Sequence, residues 1–245
     1  MTGSARLGAV MATAVGAPRP WQTGFQDPAS PVMERLVSLH DTLLWITGAI
    51  LLLVIGLLVF VMVRFRAGTH PEPATTAHNR PLEILWTVMP VLILVAVAVP
   101  SFRLLYYMDK AEAPELTVKV TGHEWYWEYQ YPDQGGRDVN SVLVAAEDLK
   151  PGQLRLLEVD TPLMLPVDTT VRLVVTGGDV IHSWSVPAFG VKVDAIPGRL
   201  NETWVRVTRE GTYYGQCSQL CGTGHDSMPI KVQVVPRDVF FASFK

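Results

Sequence analysis

Two long apolar runs near the start of the chain dominate its pattern of hydrophobic and polar positions. The first, from Leu43 to Val63, holds 21 residues without a charged side chain, and the second, from Ile84 to Phe102, is likewise uncharged. A helix rises about 1.5 Å per residue, so the first run spans roughly 30 Å, the thickness of the hydrocarbon core of a bilayer. Uncharged runs of this length are more typical of membrane spans than of buried core helices. The pattern predicts two transmembrane helices, over about residues 40–64 and 83–104.

The charges between the two runs predict their orientation. The connecting loop carries Arg64, Arg66 and Arg80 against one acid, Glu72. Because lysine and arginine are enriched in cytoplasmic loops, this loop is expected to face the cytoplasm and both chain ends to lie outside. We therefore expect a multi-pass protein of the bacterial inner membrane, in contact with lipid, whose C-terminal domain lies in the periplasm.

The pattern changes from residue 116 onward to short runs with period two, rich in valine, threonine and aromatic residues and separated by Gly, Pro or Asp. This is typical of an all-β sandwich or barrel. Predicted strands lie at Leu116–Val120, Trp125–Tyr129, Val171–Val175, Thr203–Val207 and Ile230–Val235. No helical period of useful length follows residue 110.

Three regions follow from these patterns. Residues 1–20 are expected to be a signal peptide or a disordered start, because Arg6 precedes a short stretch of small and apolar residues that ends at Ala17. Residues 21–107 form the membrane anchor, and residues 18–32, which include four prolines, lead as a loop to its first helix. Residues 108–245 form the external domain.

The external domain is acidic. It carries 18 Asp and Glu residues against 13 Lys and Arg residues, whereas the whole chain has a net charge of −3. Net negative charge argues against binding to nucleic acid. An acidic surface suits a basic soluble partner through electrostatic steering, although mild acidity also serves solubility alone.

The segment from Cys217 to Met228 carries the candidate chemistry. It reads Cys-Ser-Gln-Leu-Cys-Gly-Thr-Gly-His-Asp-Ser-Met, with both cysteines of the chain, His225 and Met228. Thiolate, imidazole and thioether groups together favour copper, whereas zinc sites use Cys and His without Met. A disulfide between Cys217 and Cys221 is the alternative in an oxidising compartment. His182, which is expected to follow a strand, is the candidate second histidine if two metal ions share the two thiolates.

These residues resemble the cytochrome c oxidase subunit II family. The Cys-x3-Cys-x3-His-x2-Met spacing is similar to the dinuclear copper loop of that family. Further matching motifs occur in the same order, namely Glu83-Ile-Leu-Trp86-Thr-Val-Met-Pro90, Trp125-Tyr-Trp127, His182-Ser-Trp184, Asp194-Ala-Ile-Pro-Gly-Arg199 and Tyr213-Tyr-Gly-Gln-Cys217. The resemblance covers roughly residues 25–240. It implies a two-helix transmembrane hairpin followed by an all-β cupredoxin domain, which is a Greek-key β-sandwich or barrel.

The resemblance also implies the ligands of a dinuclear copper centre: two bridging cysteines, one histidine for each copper, a weak methionine ligand and a weak backbone carbonyl. These are Cys217 and Cys221, His182 and His225, Met228, and Gln219. Family members often carry Glu at the position of Gln219, where the side chain reaches a magnesium ion at the interface with subunit I. An amide is a poorer ligand for this hard cation, so the resemblance leaves open whether Gln219 binds magnesium. Its backbone role toward copper is unaffected.

The implied function is electron transfer within a proton-translocating oxidoreductase. The chain would accept electrons from cytochrome c and pass them to haem in subunit I, where oxygen is reduced to water and protons are pumped; subunit III is a further partner. Trp125 would receive electrons under docked cytochrome c, with Trp127 as a packing residue. Glu83 would lie at the mouth of a proton pathway into subunit I, or serve only as an interfacial charge.

Four acids are candidates for docking cytochrome c. Asp179 matches a docking acid of the family, and Glu124, Glu128 and Asp133 are further candidates, with a solvated surface as the alternative. Three rival functions remain. A copper-free quinol oxidase subunit II would lack the ligands present here, a membrane-tethered copper-binding module would expose them, and a mononuclear blue-copper carrier would need one cysteine rather than two.

Overall fold

The computed structural model describes residues 16–66, 68–69, 72, 75–109 and 113–244. These form two compact units, one of residues 35–107 and one that combines residues up to 34 with those from 108 onward. Most of the predicted signal peptide or disordered start, residues 1–15, lies outside the described residues. Gly16 is described, and it forms a parallel bridge with Tyr213 of the second unit.

Two long apolar helices, α1 (Pro31–Arg64) and α2 (Arg80–Asp109), confirm the two runs as helices that are long and apolar enough to cross a membrane. α1 begins earlier than the predicted residue 40, because Ser30 caps it: the Ser30 hydroxyl oxygen accepts the Met33 N–H at 3.0 Å. Pro31 then occupies the first helical position, where its missing N–H costs nothing. Asn79 caps α2 in the same way and accepts the Leu82 N–H at 3.3 Å.

The two helices run antiparallel as a hairpin. The Arg35 guanidinium near the start of α1 lies over the Tyr107 ring near the end of α2, 3.5 Å from the ring centroid. Pro90 and Pro100 both lie inside α2, as membrane helices tolerate. Apolar side chains along both spans are exposed in the described chain, as expected of surfaces that face lipid or partner proteins.

The other unit is a sandwich of two mixed five-stranded sheets, with strand orders β3-β2-β1-β5-β8 and β4-β10-β9-β6-β7. The strands are β1 Leu116–His123, β2 Tyr126–Tyr131, β3 Arg137–Ser141, β4 Leu163–Pro166, β5 Val171–Gly177, β6 His182–Val186, β7 Val191–Ala195, β8 Asn201–Val205, β9 Gly211–Cys217 and β10 Pro229–Val235. A short helix, α3 (Arg237–Ala242), follows. Two pairs are parallel, β1 with β5 and β4 with β10, and the other pairs are antiparallel.

All five predicted strands are confirmed, as β1, β2, β5, β8 and β10, with ends that differ by a few residues. The remaining five strands escaped prediction because they are short or carry glycine; β9 begins at Gly211 and contains Gly215. No helical period of useful length was expected after residue 110, and α3, which spans fewer than two turns, is consistent with that expectation. His182 follows β5 in the chain, as expected, and it lies at a strand end as the first residue of β6.

The segment before α1 belongs to the β-domain rather than to the predicted anchor of residues 21–107. The Ala29 N–H donates to the Ala188 carbonyl, and the Ala29 carbonyl accepts the Thr208 N–H, both at 2.9 Å. The Ser30 hydroxyl donates to the Phe189 carbonyl at 2.7 Å. Ala29 and Met33 are buried among the strands, so burial and backbone pairing place the boundary at residue 34.

Strand pairing brings three loops of the sandwich together at one end. β1 and β2 pair so that His123 lies opposite Tyr126 at their turn, and parallel pairing sets the ends of β1 and β5 side by side. β6 pairs with β9, with Trp184 opposite Cys217. The β1–β2 turn, the β5–β6 loop and the β9–β10 loop therefore meet. His182 lies at the end of the β5–β6 loop, and the other predicted metal ligands lie on the β9–β10 loop or at its start.

Candidate metal centre

Two buried thiols form the middle of the site. Cys217 ends β9 and Cys221 lies in the following loop; their sulfur atoms are 3.8 Å apart, and both cysteines are free. His182 joins them, and the ligating atoms of these three buried residues lie within 4.8 Å of one another. A disulfide was the alternative at this spacing, and the structure instead brings the two thiols and an imidazole together as a group that can hold a metal ion.

The remaining predicted ligands surround the two sulfur atoms. The His225 Nδ1 and Met228 Sδ atoms each lie 3.5 Å from the Cys221 sulfur. The Gln219 carbonyl oxygen lies 3.3 Å from the Cys217 sulfur, while the Gln219 side chain is exposed. The structure thus brings all six predicted ligands to one place, and the donors are two thiols, two imidazoles, a thioether and a carbonyl.

His182 is oriented by a carboxylate. Its Nε2–H donates to Asp179 Oδ1 at 2.8 Å, which leaves Nδ1 as the nitrogen with a free lone pair. That Nδ1 atom is buried and has no hydrogen-bond partner among the described residues. An unpaired buried polar atom costs free energy unless something binds it, and a histidine held through its other nitrogen by a carboxylate is a common metal ligand. The donor set and this orphaned nitrogen both fit a soft or borderline metal such as copper.

The surroundings of Cys221 favour its protonated thiol. Burial, with a further contribution from the neighbouring Cys217 thiol, raises the pKa of Cys221 to about 12. A cation must therefore displace a proton to bind the thiolate. Burial also raises the pKa of Asp179, but hydrogen bonds from His182 and from the backbone N–H groups of Val180 and Glu124 outweigh it, and the pKa of this carboxyl lies below its usual range.

Trp125 covers the loop that carries Cys221. Its indole N–H donates to the Cys221 carbonyl at 3.1 Å, and the side chain is half-buried. The ring lies so close to Gly222 and Gly224 that a Cβ atom on Gly224 would stand 2.5 Å from its Cδ2 atom. Trp127, by contrast, is fully buried, and its indole N–H donates to the Met228 carbonyl at 3.2 Å.

The four predicted docking acids do not lie together. Asp179 and Glu124 are exposed beside Trp125, and Asp179 Oδ2 accepts the Glu124 N–H at 2.7 Å. Glu128 lies on β2, half-buried, with Oε2 3.1 Å from His123 Nε2. Asp133 follows the far end of β2, where its carboxylate accepts the Thr117 N–H at 2.7 Å, so the length of the strand separates it from Trp125.

Glu83 lies in the first turn of α2, in the helical unit. Its Oε1 accepts the Asn79 N–H at 3.1 Å and lies 3.6 Å from His78 Nδ1. These contacts cap the helix start, so the carboxylate has a local structural role as well as its position at the end of a membrane span.

Sequence reasoning missed Gly122, whose absent side chain makes room for His182. A Cβ atom built on Gly122 would stand 2.9 Å from His182 Cδ2, closer than real Cβ atoms approach. It also missed His123, which stacks on Tyr126 with ring centroids 4.8 Å apart. The only signal was the Gly-His string directly before Trp125-Tyr-Trp127, because glycine in a strand often marks a close approach of other atoms.

Comparison with known proteins gives a consistent result. A family model described as the periplasmic domain of cytochrome c oxidase subunit II matches residues 116–235, and the model of the transmembrane domain of the same subunit matches residues 18–104. The chain is 53% identical over 223 residues to a probable cytochrome c oxidase subunit 2 of Rickettsia bellii, which covers 91% of this chain and 83% of that protein. It is 46% identical over 227 residues to cytochrome c oxidase subunit 2 of Cyanidium caldarium, over 91% and 89% of the two chains.

A solved structure resembles the β-domain. The periplasmic domain of subunit II of the cytochrome oxidase of Bradyrhizobium japonicum is 48% identical, with a TM-score of 0.51. The match covers 55% of this chain and 94% of that domain.

Replacing Gly122 with alanine tests the space reserved for His182. The added methyl group forces the imidazole ring away from the thiols, and disturbing such a supporting contact is expected to lower copper affinity by about 10- to 100-fold. Competition with a copper chelator, measured on purified protein, gives the affinity. Gly24→Ala is the matched control, because a Cβ atom there meets nothing within 4 Å. Equal affinities for the two variants would contradict the assignment of His182 as a ligand.

Proposed function

Because the chain belongs to the cytochrome c oxidase subunit II family, we propose that its β-domain accepts electrons from cytochrome c at a dinuclear copper centre and passes them to haem in subunit I. The two helices are its transmembrane domain, and the sandwich is its cupredoxin-like periplasmic domain, at the bacterial inner membrane. The observation that carries the proposal is the convergence of two thiols, two imidazoles, a thioether and a carbonyl around sulfur atoms 3.8 Å apart.

Copper is the metal that this donor set suits. Paired thiolates and a thioether select a soft ion, and two histidines supply one nitrogen for each of two ions. A bound copper pair would supply one-electron redox chemistry. Cys217, Cys221, His182, His225, Met228 and the Gln219 carbonyl would hold it. The burial of both cysteines and of Met228 excludes water, and the Asp179 carboxylate fixes the His182 ring.

Trp125 is the residue that we propose for the arrival of electrons. It is the half-buried aromatic side chain whose indole N–H bonds directly to the backbone of a thiol ligand. Trp127, fully buried, supports the site instead by bonding the Met228 carbonyl and packing edge-on against His182, with ring centroids 6.0 Å apart.

Glu124 and Asp179 are the acids that we propose for docking a basic cytochrome c, since both are exposed beside Trp125. Exposed charges of this kind steer association and raise its rate more than they raise affinity. Glu128, tied to His123, and Asp133, at the far end of β2, are less suited to the same surface.

The chemistry of oxygen belongs to the rest of the complex, and subunits I and III are the proposed partners. Glu83, in the first turn of α2 on the loop side of the membrane, is the proposed mouth of a proton pathway into subunit I. The exposed side chain of Gln219 is the proposed contact with the subunit I interface, where its neutral amide is a weak ligand for magnesium.

Copper content and electron paramagnetic resonance of the full chain in detergent test the centre itself. We expect a pair of copper ions per chain with one unpaired electron shared between both nuclei, and loss of that spectrum in Cys217→Ser. A single copper with a mononuclear spectrum would favour a blue-copper-type carrier. Copper that exchanges freely with weak chelators would favour a copper-binding module, and no uptake after reduction would favour a quinol-type subunit.

Substitution of Trp125 by phenylalanine tests the route of the electron. The variant keeps an aromatic ring but loses the hydrogen bond to Cys221, and small displacements of reacting groups cost large factors in rate. We expect electron uptake from cytochrome c to fall about tenfold or more, with the copper spectrum unchanged. Trp21→Phe, at a fully exposed tryptophan of the same unit, should have no effect. A normal uptake rate in Trp125→Phe would refute this route.

Neutralising single acids tests the docking surface. Glu124→Gln removes an exposed charge beside Trp125 and should slow association with cytochrome c by about two- to fivefold at low salt, with the difference vanishing at high salt. Asp133→Asn removes the same charge at the other end of β2, where its side chain still accepts the Thr117 N–H, and should change the association rate little. Stopped-flow measurements over a salt series give the association rate of each variant with cytochrome c. Equal slowing by both variants would mean that net charge, rather than this surface, steers the partner.

A further inference from the structure

A cleft between α1 and α2 is lined by none of the predicted site residues. It has a volume of about 270 Å³ and lies within the helical unit. Its walls are Arg35, Ser38, Leu39 and Thr42 of α1, and Pro100, Arg103 and Leu104 of α2. The α1 residues follow a spacing of three and four, as do those of α2, so each set occupies one face of its helix.

The cleft lies at the level of the lipid headgroups on the outer side. Arg103 directly follows the uncharged run that ends at Phe102, and Arg35 lies two turns before the run that begins at Leu43. Polar and cationic side chains therefore lie just beyond the hydrocarbon core, while Leu39 and Leu104 extend the cleft toward it.

Among the described residues, neither arginine has a carboxylate partner. Neither forms an ion pair within the part of the chain that the structure describes, although Asp41 and Asp109 lie on the same helices. The Arg35 guanidinium lies over the Tyr107 ring at the cleft, and this contact uses the face of the ring rather than a carboxylate. Arginines are enriched on the cytoplasmic side of membrane proteins, so two arginines at the outer end of one hairpin are unusual. An anion bound at the same depth in the membrane would account for them.

We propose that this cleft binds the phosphate of an anionic phospholipid of the outer leaflet. Arg35 and Arg103 would donate to the phosphate oxygens, since the guanidinium fork matches phosphate geometry. The Ser38 hydroxyl is a further donor, whereas the Thr42 hydroxyl already donates to the Ser38 carbonyl at 2.9 Å. Leu39, Pro100 and Leu104 would contact the glycerol and the first acyl carbons. Free phosphate shares the same chemistry, but it would leave these apolar walls without a partner.

Native mass spectrometry of the full chain tests the proposal, with phosphatidylglycerol and phosphatidylcholine offered as competing probes. We expect wild-type protein to retain phosphatidylglycerol in preference. The preference should fall about fivefold in Arg35→Gln or Arg103→Gln, and about 25-fold in the double variant, from roughly equal contributions of each charge near a membrane surface. The control is Arg66→Gln with Arg80→Gln, which removes two charges at the other end of the hairpin and should keep the preference.

Three results would overturn the proposal. An equal loss of preference in the control pair would mean that general charge attracts the lipid. Displacement of phosphatidylglycerol by inorganic phosphate would identify a site for a soluble anion. In the complete oxidase, loss of a partner subunit from the double variant with unchanged lipid content would mean that the arginines bind a protein carboxylate. Copper content and the copper spectrum should stay unchanged in every variant, which separates this site from the proposed electron-transfer function.

Discussion

A single carboxylate links the parts of the candidate metal centre. Asp179 accepts the ring N–H of His182 through one oxygen and the Glu124 N–H of the β1–β2 turn through the other. The same turn presents Trp125, which bonds to the Cys221 carbonyl in the third loop. Asp179 thus connects the proposed ligand His182 with the turn that carries Trp125 and, through Trp125, with the loop that carries Cys221. One sheet supplies the support for both residues, because β9 ends at Cys217, β6 starts at His182, and these two strands are neighbours in that sheet.

The proposed ligands could be selected from the sequence because their chemistry is concentrated in one short segment. Four of the six lie between Cys217 and Met228, and soft donors at that spacing have few other uses. His182 was harder, since a lone histidine carries little information, and only the resemblance to a family selected it. Nothing in the sequence shows that its Nε2 atom bonds Asp179 and leaves Nδ1 free to bind a metal, because that contact depends on the conformation of the β5–β6 loop.

The fold was predictable where the hydrophobic pattern extended over enough residues to be recognised. The apolar runs gave both helices, and alternation gave the five strands rich in valine and aromatics. Short strands interrupted by glycine, such as β9, carry no such signal. The placement of residues up to 34 with the β-domain was also hidden, because it rests on backbone hydrogen bonds of Ala29 to residues far along the chain. The proline-rich segment before α1 has no regular hydrophobic period, so its sequence predicts a loop. Only the backbone hydrogen bonds in the structure show that this loop packs on the β-domain.

The two glycines beneath Trp125 set the thickness of the wall between solvent and the sulfur atoms. Since Gly222 and Gly224 have no side chains, the indole ring lies directly on peptide groups, and its inner edge bonds the residue that carries a ligand. The wall is therefore one aromatic ring and one backbone deep. In the proposed function, the flat area of the ring would exclude water, and electrons would cross the wall because it is thin. A bulkier residue at either glycine would still exclude water, but it would thicken the wall that electrons must cross.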